Sequence, residues 1–414
     1  MLIIRSRILK SIFFTPLLLA INISIPEYGF AELPEGFTGT RPIGMGGAFT
    51  AIANDENSFW TNPAGIARAR KARSRNGVHI GKFPNASLGI NAGSRGLYTT
   101  LKGASKSGVA EAIANADIIS EKPFYVRGAA FPVVMFEAGK NQPMGFGFYG
   151  NSVSKVYIDK DLPSEARVTS ITDVGSTIGI AYSNFANRLN LGLALRPTYR
   201  YAYENSIPVE ELKSSTDMSR HLRKDSNAGT GIGVDIGAMF TLADFWFPTV
   251  GFAVRNLPTG CQADYLNPFT EQRQNICGTK FSGNKGNPDA LSRIDPTDVR
   301  AGISISPRIA KEFGIRFAAD VHNVYMKSTT AYYGLPGVDV AKLLHGGLEL
   351  FSGNPLEQSR FSLRVGSNQG FVSYGGSVNL AFFHIDFASY GVDISDQTKR
   401  VEDRRYLASI GTAF

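Results

Sequence analysis

From about residue 77 to the C-terminus, apolar side chains recur at every second position, with Gly, Ser, Thr, Asn or charged residues between them. In Gly231 to Leu242 one face carries Ile232, Val234, Ile236, Ala238, Phe240 and Leu242, and the other Gly231, Gly233, Asp235, Gly237 and Met239. Leu189, Leu191, Leu193 and Leu195 likewise oppose Asn190, Gly192, Arg196 and Arg200. Val299 to Ile305 repeats the pattern, and Phe361, Leu363 and Val365 oppose Arg360, Ser362 and Arg364. Side chains of a strand point alternately to its two sides, so this period predicts strands with one apolar and one polar face. Glycine is abundant on the polar face, where each one weakens a strand by roughly 0.5–1 kcal/mol relative to alanine. Crowding by something inside would offset that cost.

The breaks between strands alternate in length. Short ones fall near 138–142, 184–187, 243–246, 308–312, 353–357 and 380–382. Longer polar ones fall near 102–123, 158–166, 204–228, 258–297, 328–342 and 392–402, with one further short break at 367–370. Short turns at one end and long loops at the other characterise barrels of the bacterial outer membrane, and about fourteen antiparallel strands are predicted here. A β-sandwich also alternates, but a chain of this length would split into modules joined by linkers, and neither linker nor internal repeat occurs. Tyr406, Ala408, Ile410, Thr412 and Phe414 keep one phase to the last residue. That ending resembles the signal read by the barrel-assembly machinery, with Tyr406 and Phe414 as its aromatic residues. Phe245-Trp246-Phe247, Phe382-Phe383 and Tyr199, Tyr201 and Tyr203 cluster near strand ends, as interfacial girdles do.

Composition narrows the class further. The 414 residues are 43% hydrophobic and 11% aromatic, which excludes a disordered chain, and two Cys exclude a disulfide scaffold. Beyond the first thirty or so residues no apolar run approaches the roughly 18 residues of a spanning helix. Arg5, Arg7 and Lys10, the apolar stretch Ile12 to Ile25 and the small residues near Ala31 predict a signal peptide over 1–31. Its removal takes the formal charge from +8 to +6, since Arg5, Arg7, Lys10 and Glu27 leave with it. Export argues against a nucleic-acid partner, so the run Arg68, Arg70, Lys71, Arg73, Arg75 is expected to be a solvated or lipid-phosphate-facing surface.

Between the cleavage site and the first strand lie Gly39-Thr40-Arg41-Pro42-Ile43-Gly44-Met45-Gly46-Gly47-Ala48-Phe49-Thr50-Ala51-Ile52-Ala53-Asn54-Asp55 and Asn62-Pro63-Ala64-Gly65-Ile66-Ala67. This resembles the N-terminal signature of the FadL-like outer-membrane transport proteins, including the PorV-type branch. The resemblance implies a plug folded inside the lumen, here residues 32–76, followed by a barrel over 77–414. Gly44, Gly46, Gly47, Asn62, Pro63 and Ala64 would belong to that plug. Glycines permit close approach and positive φ, and Asn-Pro starts a turn that Gly65 can relax. No Gly-Lys-Ser/Thr ending follows, so a phosphate loop is excluded.

With apolar faces on lipid, the opposite faces would line the lumen: Asn190, Arg196, Arg200, Asp235, Arg300, Arg316, Asp320, His322, His345, Glu349, Arg360, Arg364, His384 and Asp386. These either solvate the lumen and pair with the plug, or the arginines among them, Arg196, Arg200, Arg300, Arg316, Arg360 and Arg364, bind a carboxylate or phosphate head group. The pairs Asp320/His322 and His384/Asp386 share strand faces but indicate no third metal ligand, and hydrogen-bonded structural histidines are expected. No serine elbow or nucleophile–base pair is visible, so neither catalysis nor a cofactor is expected. Cys261 and Cys277 fall in the longest loop of an exported chain and are expected to form a disulfide. Val109, Ala112, Ile113, Ala116 and Ile119 predict an amphipathic helix over 105–119.

In the third strand Met144, Phe146 and Phe148 set one phase, while Val153 and Tyr157 continue in the other. That shift predicts a bulge at Tyr149-Gly150-Asn151, with Gly150 and Asn151 as the kink. The family resemblance would make it a lateral exit from the lumen. The resemblance further implies a monomeric barrel in the outer membrane that passes hydrophobic small molecules, such as long-chain fatty acids. The rival is a PorV-like scaffold or shuttle that holds exported proteins, distinguished by partner-binding outer loops without an apolar route through the wall.

Overall fold

The structure is a computed structural model, and it describes residues 36–69, 78–80, 82–103, 122–139, 141–158, 164–266, 273–285, 294–310, 312–323, 343–353, 359–380, 383–394 and 401–413. The signal segment, the stretch 105–119 and Phe414 lie outside the described residues. Fourteen antiparallel strands close into a barrel. They are β1 (Val78–Ile80 and Lys82–Asn91), β2 (Phe124–Ala130 and Val133–Gly139), β3 (Gln142–Ile158), β4 (Glu165–Asn184), β5 (Leu189–Pro208), β6 (Asn227–Thr241) and β7 (Thr249–Arg255). The second half comprises β8 (Asp298–Ile305), β9 (Phe313–Val321), β10 (Leu344–Ser352), β11 (Phe361–Asn368), β12 (Phe371–Leu380), β13 (Phe383–Asp393) and β14 (Glu402–Ala413). Each strand pairs with the next, and β14 pairs with β1 from Lys82↔Ala413 to Asn91↔Arg405, so no edge is left open.

The two faces separate as the alternation requires. Leu191, Leu193, Leu195, Ile232, Ile236 and Phe240 are exposed on the outside, while Asn190, Arg196, Arg200, Asp235 and Met239 are buried inside. In a water-soluble protein such an apolar exterior would be a large liability, whereas against hydrocarbon it is the stable arrangement. Among the described residues no helix is long and apolar enough to cross a membrane.

The expected bulge in β3 is absent. The β3–β4 ladder runs without a shift from Met144↔Ile180 to Ile158↔Ala166, and the β2 side keeps one register across Phe131-Pro132, where Phe148 N–H donates to Pro132 O at 3.1 Å. Gly150 and Asn151 are therefore ordinary strand residues. The phase change has another cause. Beyond Phe148, which is 61% exposed, β3 rises out of the apolar band, so outward Gly150, Ser152 and Ser154 need no lipophilic character. Outward Val156 and Ile158 are covered by protein, and Val153 and Tyr157 point toward the lumen mouth. The real irregularity is in β1, where pairing with β14 shifts by one residue between Phe83 and Ala86, and Asn85 has φ 50°.

The helices of the described residues are α1 (Thr40–Gly44), α2 (Ser58–Thr61), α3 (Ile66–Ala69), α4 (Ala92–Gly103) and α5 (Ser215–Lys224). The first three lie inside the barrel, and the last two belong to its long-loop end.

Candidate passage through the barrel

The segment from Gly36 to Ala69 lies against the inward faces of the strands, and Met45, Ala48, Phe49, Ala53, Phe59, Ala64 and Ile66 are all fully or nearly fully buried there. Gly44, Gly46, Gly47, Asn62, Pro63 and Ala64 sit within it. Gly46 and Gly47 have φ of 67° and 86°, the left-handed region that favours glycine, and turn the chain after α1 so that Gly46 O meets His345 Nδ1 at 2.7 Å. Asn62 Oδ1 accepts the Ala64 N–H at 3.1 Å and caps the Pro63–Gly65 turn, while its Nδ2 donates to Thr50 O and Ala238 O at 2.8 and 3.2 Å. That fit needs bare backbone opposite. A Cβ on Gly192 would come 2.2 Å from Pro63 C, and one on Gly237 would come 2.0 Å from Asn62 Oδ1. Gly192, Gly237, Gly251 and Gly347 of the polar strand faces are where the inner segment rests.

Charge fixes the segment as well. Arg41 Nη1 donates to Asn54 Oδ1 and Asp55 Oδ2 at 2.7 Å each, and its Nε and Nη2 reach Glu349 on β10. Glu349 also receives Arg316 of β9 and, at 2.9 Å, Arg364 Nε of β11. Asp320 Oδ2 accepts the N–H groups of Phe49 and Thr50 at 2.8 and 2.7 Å. Removed from water, such groups are stabilised by the charge-assisted hydrogen bonds they make.

The arginines singled out from the sequence are mostly committed in this way. Arg196 pairs with Asp235 at 2.8 Å, Arg200 with Asp173 and Asp295 at 2.7 and 2.6 Å, and Arg300 with Asp298 at 2.5 Å. Arg360 is exposed at the short-turn end, one residue before β11 begins at Phe361. None of the other five lacks a carboxylate, so a head-group site of free guanidiniums is not what the lumen presents. His384 Nε2 bonds Asp386 Oδ2 at 2.6 Å, and the rings of His322 and His345 stack at 3.8 Å. Both are buried structural contacts.

Apolar clusters interrupt these charges, and one of them is strongly aromatic. Phe131, Val133 and Met135 of the β2 wall and Tyr149 of β3 face inward, and Phe37, Phe59 and Trp60 of the inner segment cover them. Trp60 lies 4.5 Å from Phe37, 4.7 Å from Tyr149 and 5.3 Å from Phe131 between ring centroids. The Arg196 guanidinium sits 5.1 Å from the Trp60 ring. Sequence reasoning missed Phe37, Phe59 and Trp60, although bulky aromatics in a segment otherwise built from small residues were a readable signal.

The long-loop end is covered. Cys261 and Cys277 form a disulfide between the paired strands Gly260–Leu266 and Arg273–Lys280, to which Ile294–Pro296 adds a third strand. This small sheet is anchored over the mouth by Asp295 on Arg200, by Asn256 Nδ2 donating to Pro296 O at 3.0 Å, and by buried Phe281, whose ring centre is 4.0 Å from the Arg200 guanidinium. At the short-turn end a small cavity is lined by Ile52, Asn54, Arg68, Thr249, Ser306 and Arg316.

No protein-family model and no curated protein matches this chain. Solved structures do. The deltaS2S3 mutant of the TodX monoaromatic hydrocarbon channel superposes with a TM-score of 0.52 at 11% identity, over 92% of this chain and 99% of that one. The toluene transporter TbuX of Ralstonia pickettii gives 0.50 at 12% identity, over 92% and 99% respectively. The barrel therefore has the fold of these hydrocarbon channels along nearly its whole length.

Proposed function

We propose that the chain is a non-enzymatic channel of the bacterial outer membrane that passes hydrophobic small molecules, and that residues 32–76 act as its plug. The observation that carries this reading is the apolar strip of Phe131, Val133, Met135 and Tyr149 on the lumen wall, capped by the aromatic side chains Phe37, Phe59 and Trp60. A hydrophobic solute has a continuous apolar surface to follow there once the inner segment shifts. Because the lumen arginines carry carboxylate partners, the strip favours neutral ligands such as small aromatic hydrocarbons over fatty-acid carboxylates. The fold shared with hydrocarbon channels supports the same class. A protein-holding scaffold has no use for an internal apolar strip, which favours passage over that alternative.

The test is uptake of radiolabelled toluene and of palmitate by cells producing the protein. Toluene uptake should exceed that of cells lacking it, and Phe131→Asp should abolish the difference while leaving the barrel folded. Uptake of neither compound above background would reject the channel reading.

A further inference from the structure

Helix α4 begins directly after β1, and its buried side is fixed by packing. Leu97 is buried among Phe124, Ile158, Ala166 and Val209, with Leu101 alongside. Phe124 shares its strand parity with exposed Val126, and Ile158 with exposed Phe148, so both belong to the outward face. The helix consequently lies against the outside of the barrel wall and leaves the lumen mouth to the disulfide-linked sheet.

It starts beside an outward aromatic position. Ile90, the last outward residue before the helix, is the direct cross-strand partner of Tyr406 on β14. Tyr406 and Tyr374 are outward and 39% and 48% exposed, the position of an aromatic girdle at the long-loop side of the apolar band. Helix α4 starts two residues after Ile90, beside Tyr406 of that girdle. On its free side stand Arg95, Tyr98, Thr99 and Lys102, spaced three and four apart and therefore on one stripe, with Tyr98 65% exposed. Among the described residues neither Arg95 nor Lys102 has a carboxylate partner, whereas outward Arg404 on neighbouring β14 is bonded to Glu402.

We infer that α4 is an interfacial helix whose Arg95–Tyr98–Lys102 stripe binds the phosphate groups of anionic lipids gathered around β1–β3. The inference rests on the membrane reading above. A cationic, aromatic helix face held at headgroup height is matched by anionic phosphate, which attracts each nearby Lys or Arg enough to enrich such lipid about fivefold per charge. The apolar side of the helix is already occupied by the wall, so the stripe alone is left to meet a partner.

Native mass spectrometry of the full protein released from mixed phosphatidylglycerol and phosphatidylcholine nanodiscs tests this. The wild type should retain phosphatidylglycerol above its bulk share, and high salt should reduce the enrichment. Arg95→Gln with Lys102→Gln should lose it, while Arg95→Lys should keep it. A wild-type lipid ratio equal to the bulk, as a protein-binding stripe would give, or enrichment that survives the double substitution, overturns the inference. If the double variant fails to fold, the salt series on the wild type decides. Failure to insert into either lipid is a separate outcome, which rejects the membrane reading itself.

Discussion

Arg41 of the inner segment donates from Nε and Nη2 to the two carboxylate oxygens of Glu349, at 3.0 and 2.8 Å, across 308 residues of chain. Glu349 is the common acceptor of Arg41, Arg316 and Arg364, all of them buried. Removing one member of a buried ion pair costs about 3–5 kcal/mol, because the charge left behind has no solvent. Glu349→Gln removes the carboxylate that three guanidiniums share, leaving Arg41 with Asp55 and Arg364 with Asp386 at 3.4 Å, whereas Arg41→Met leaves Glu349 with two arginines and Asp55 with the hydrogen bonds of Asn57. Glu349→Gln should therefore destabilise the detergent-solubilised barrel more than Arg41→Met does, as read by the temperature at which its heat-modifiable gel mobility changes. Equal shifts would contradict the hub.

Gly192→Val should displace the Asn62-Pro63-Ala64 turn, since even a Cβ there meets Pro63 backbone. Overpacking of this kind costs typically 1–3 kcal/mol. The strands themselves tolerate valine, so the barrel should still close. A single Cys at Ala64, with Cys261 and Cys277 replaced by Ser, should then react faster with a bulky thiol reagent than in the Gly192 background. Unchanged labelling would mean that the turn does not depend on this contact.

The barrel was legible because a wall between lipid and a polar interior imposes period two on almost every strand, and the alternating loop lengths set its strand number. The crowding implied by glycines on the polar faces was legible too, and Gly192 and Gly237 show what crowds them. Other features depended on three-dimensional register. Nothing near Arg41 in sequence points to Glu349, and the partners of Arg196 and Arg200 lie on different strands and in the mouth sheet. The phase change after Phe148 misled because alternation reports the surroundings of a strand, and β3 leaves one environment for another without adding a residue.

Replacing Cys261 and Cys277 by Ser should loosen the mouth sheet while leaving the barrel intact. The chain-entropy gain from closing a loop of this size is about 3 kcal/mol, and it belongs to the loop. Limited proteolysis should cut between residues 258 and 297 faster in the variant, with no change in heat-modifiable mobility. A large fall in barrel stability would mean that the sheet supports the wall.

His221 on α5 bonds Glu211 Oε2 through Nε2 at 2.5 Å and Asp225 Oδ2 through Nδ1 at 3.4 Å. These hydrogen bonds to carboxylates hold its pKa above the usual histidine value. A pKa raised by folding gives stabilisation that is complete below the unfolded value, near 6.5, and fades as pH rises through the folded value. Amide exchange in α5, corrected for the intrinsic rate, should therefore accelerate as pH rises through that window, and His221→Gln should flatten the profile. Faster exchange toward acid would reverse the assignment.

An apolar solute that enters the lumen also needs a way out. The regular β3–β4 ladder and the open space around Gly150 give no reason for an exit there, and Gly150→Trp should leave uptake unchanged. The irregularity of β1 extends from its β14 side to its seam with β2, beside the apolar strip, where the register changes by two residues between Ile80↔Val134 and Ala86↔Ala130. Phe131 N–H donates to Asn85 O at 3.1 Å, and Asn85 Nδ2 donates to Phe131 O at 3.1 Å, so a side chain stands in for a regular ladder bond. Buried Phe131 on the inside places the strip immediately behind this seam. Ala86 and Ala130 are direct cross-strand partners next to it, at the separation where Cβ atoms are roughly 4.5–5.5 Å apart and cysteines can be joined with small adjustment. With Cys261 and Cys277 replaced by Ser, an Ala86→Cys, Ala130→Cys pair should slow toluene uptake when oxidised and restore it on reduction. Full uptake with the cross-link in place would exclude lateral passage at this seam and direct attention to the short-turn end of the lumen.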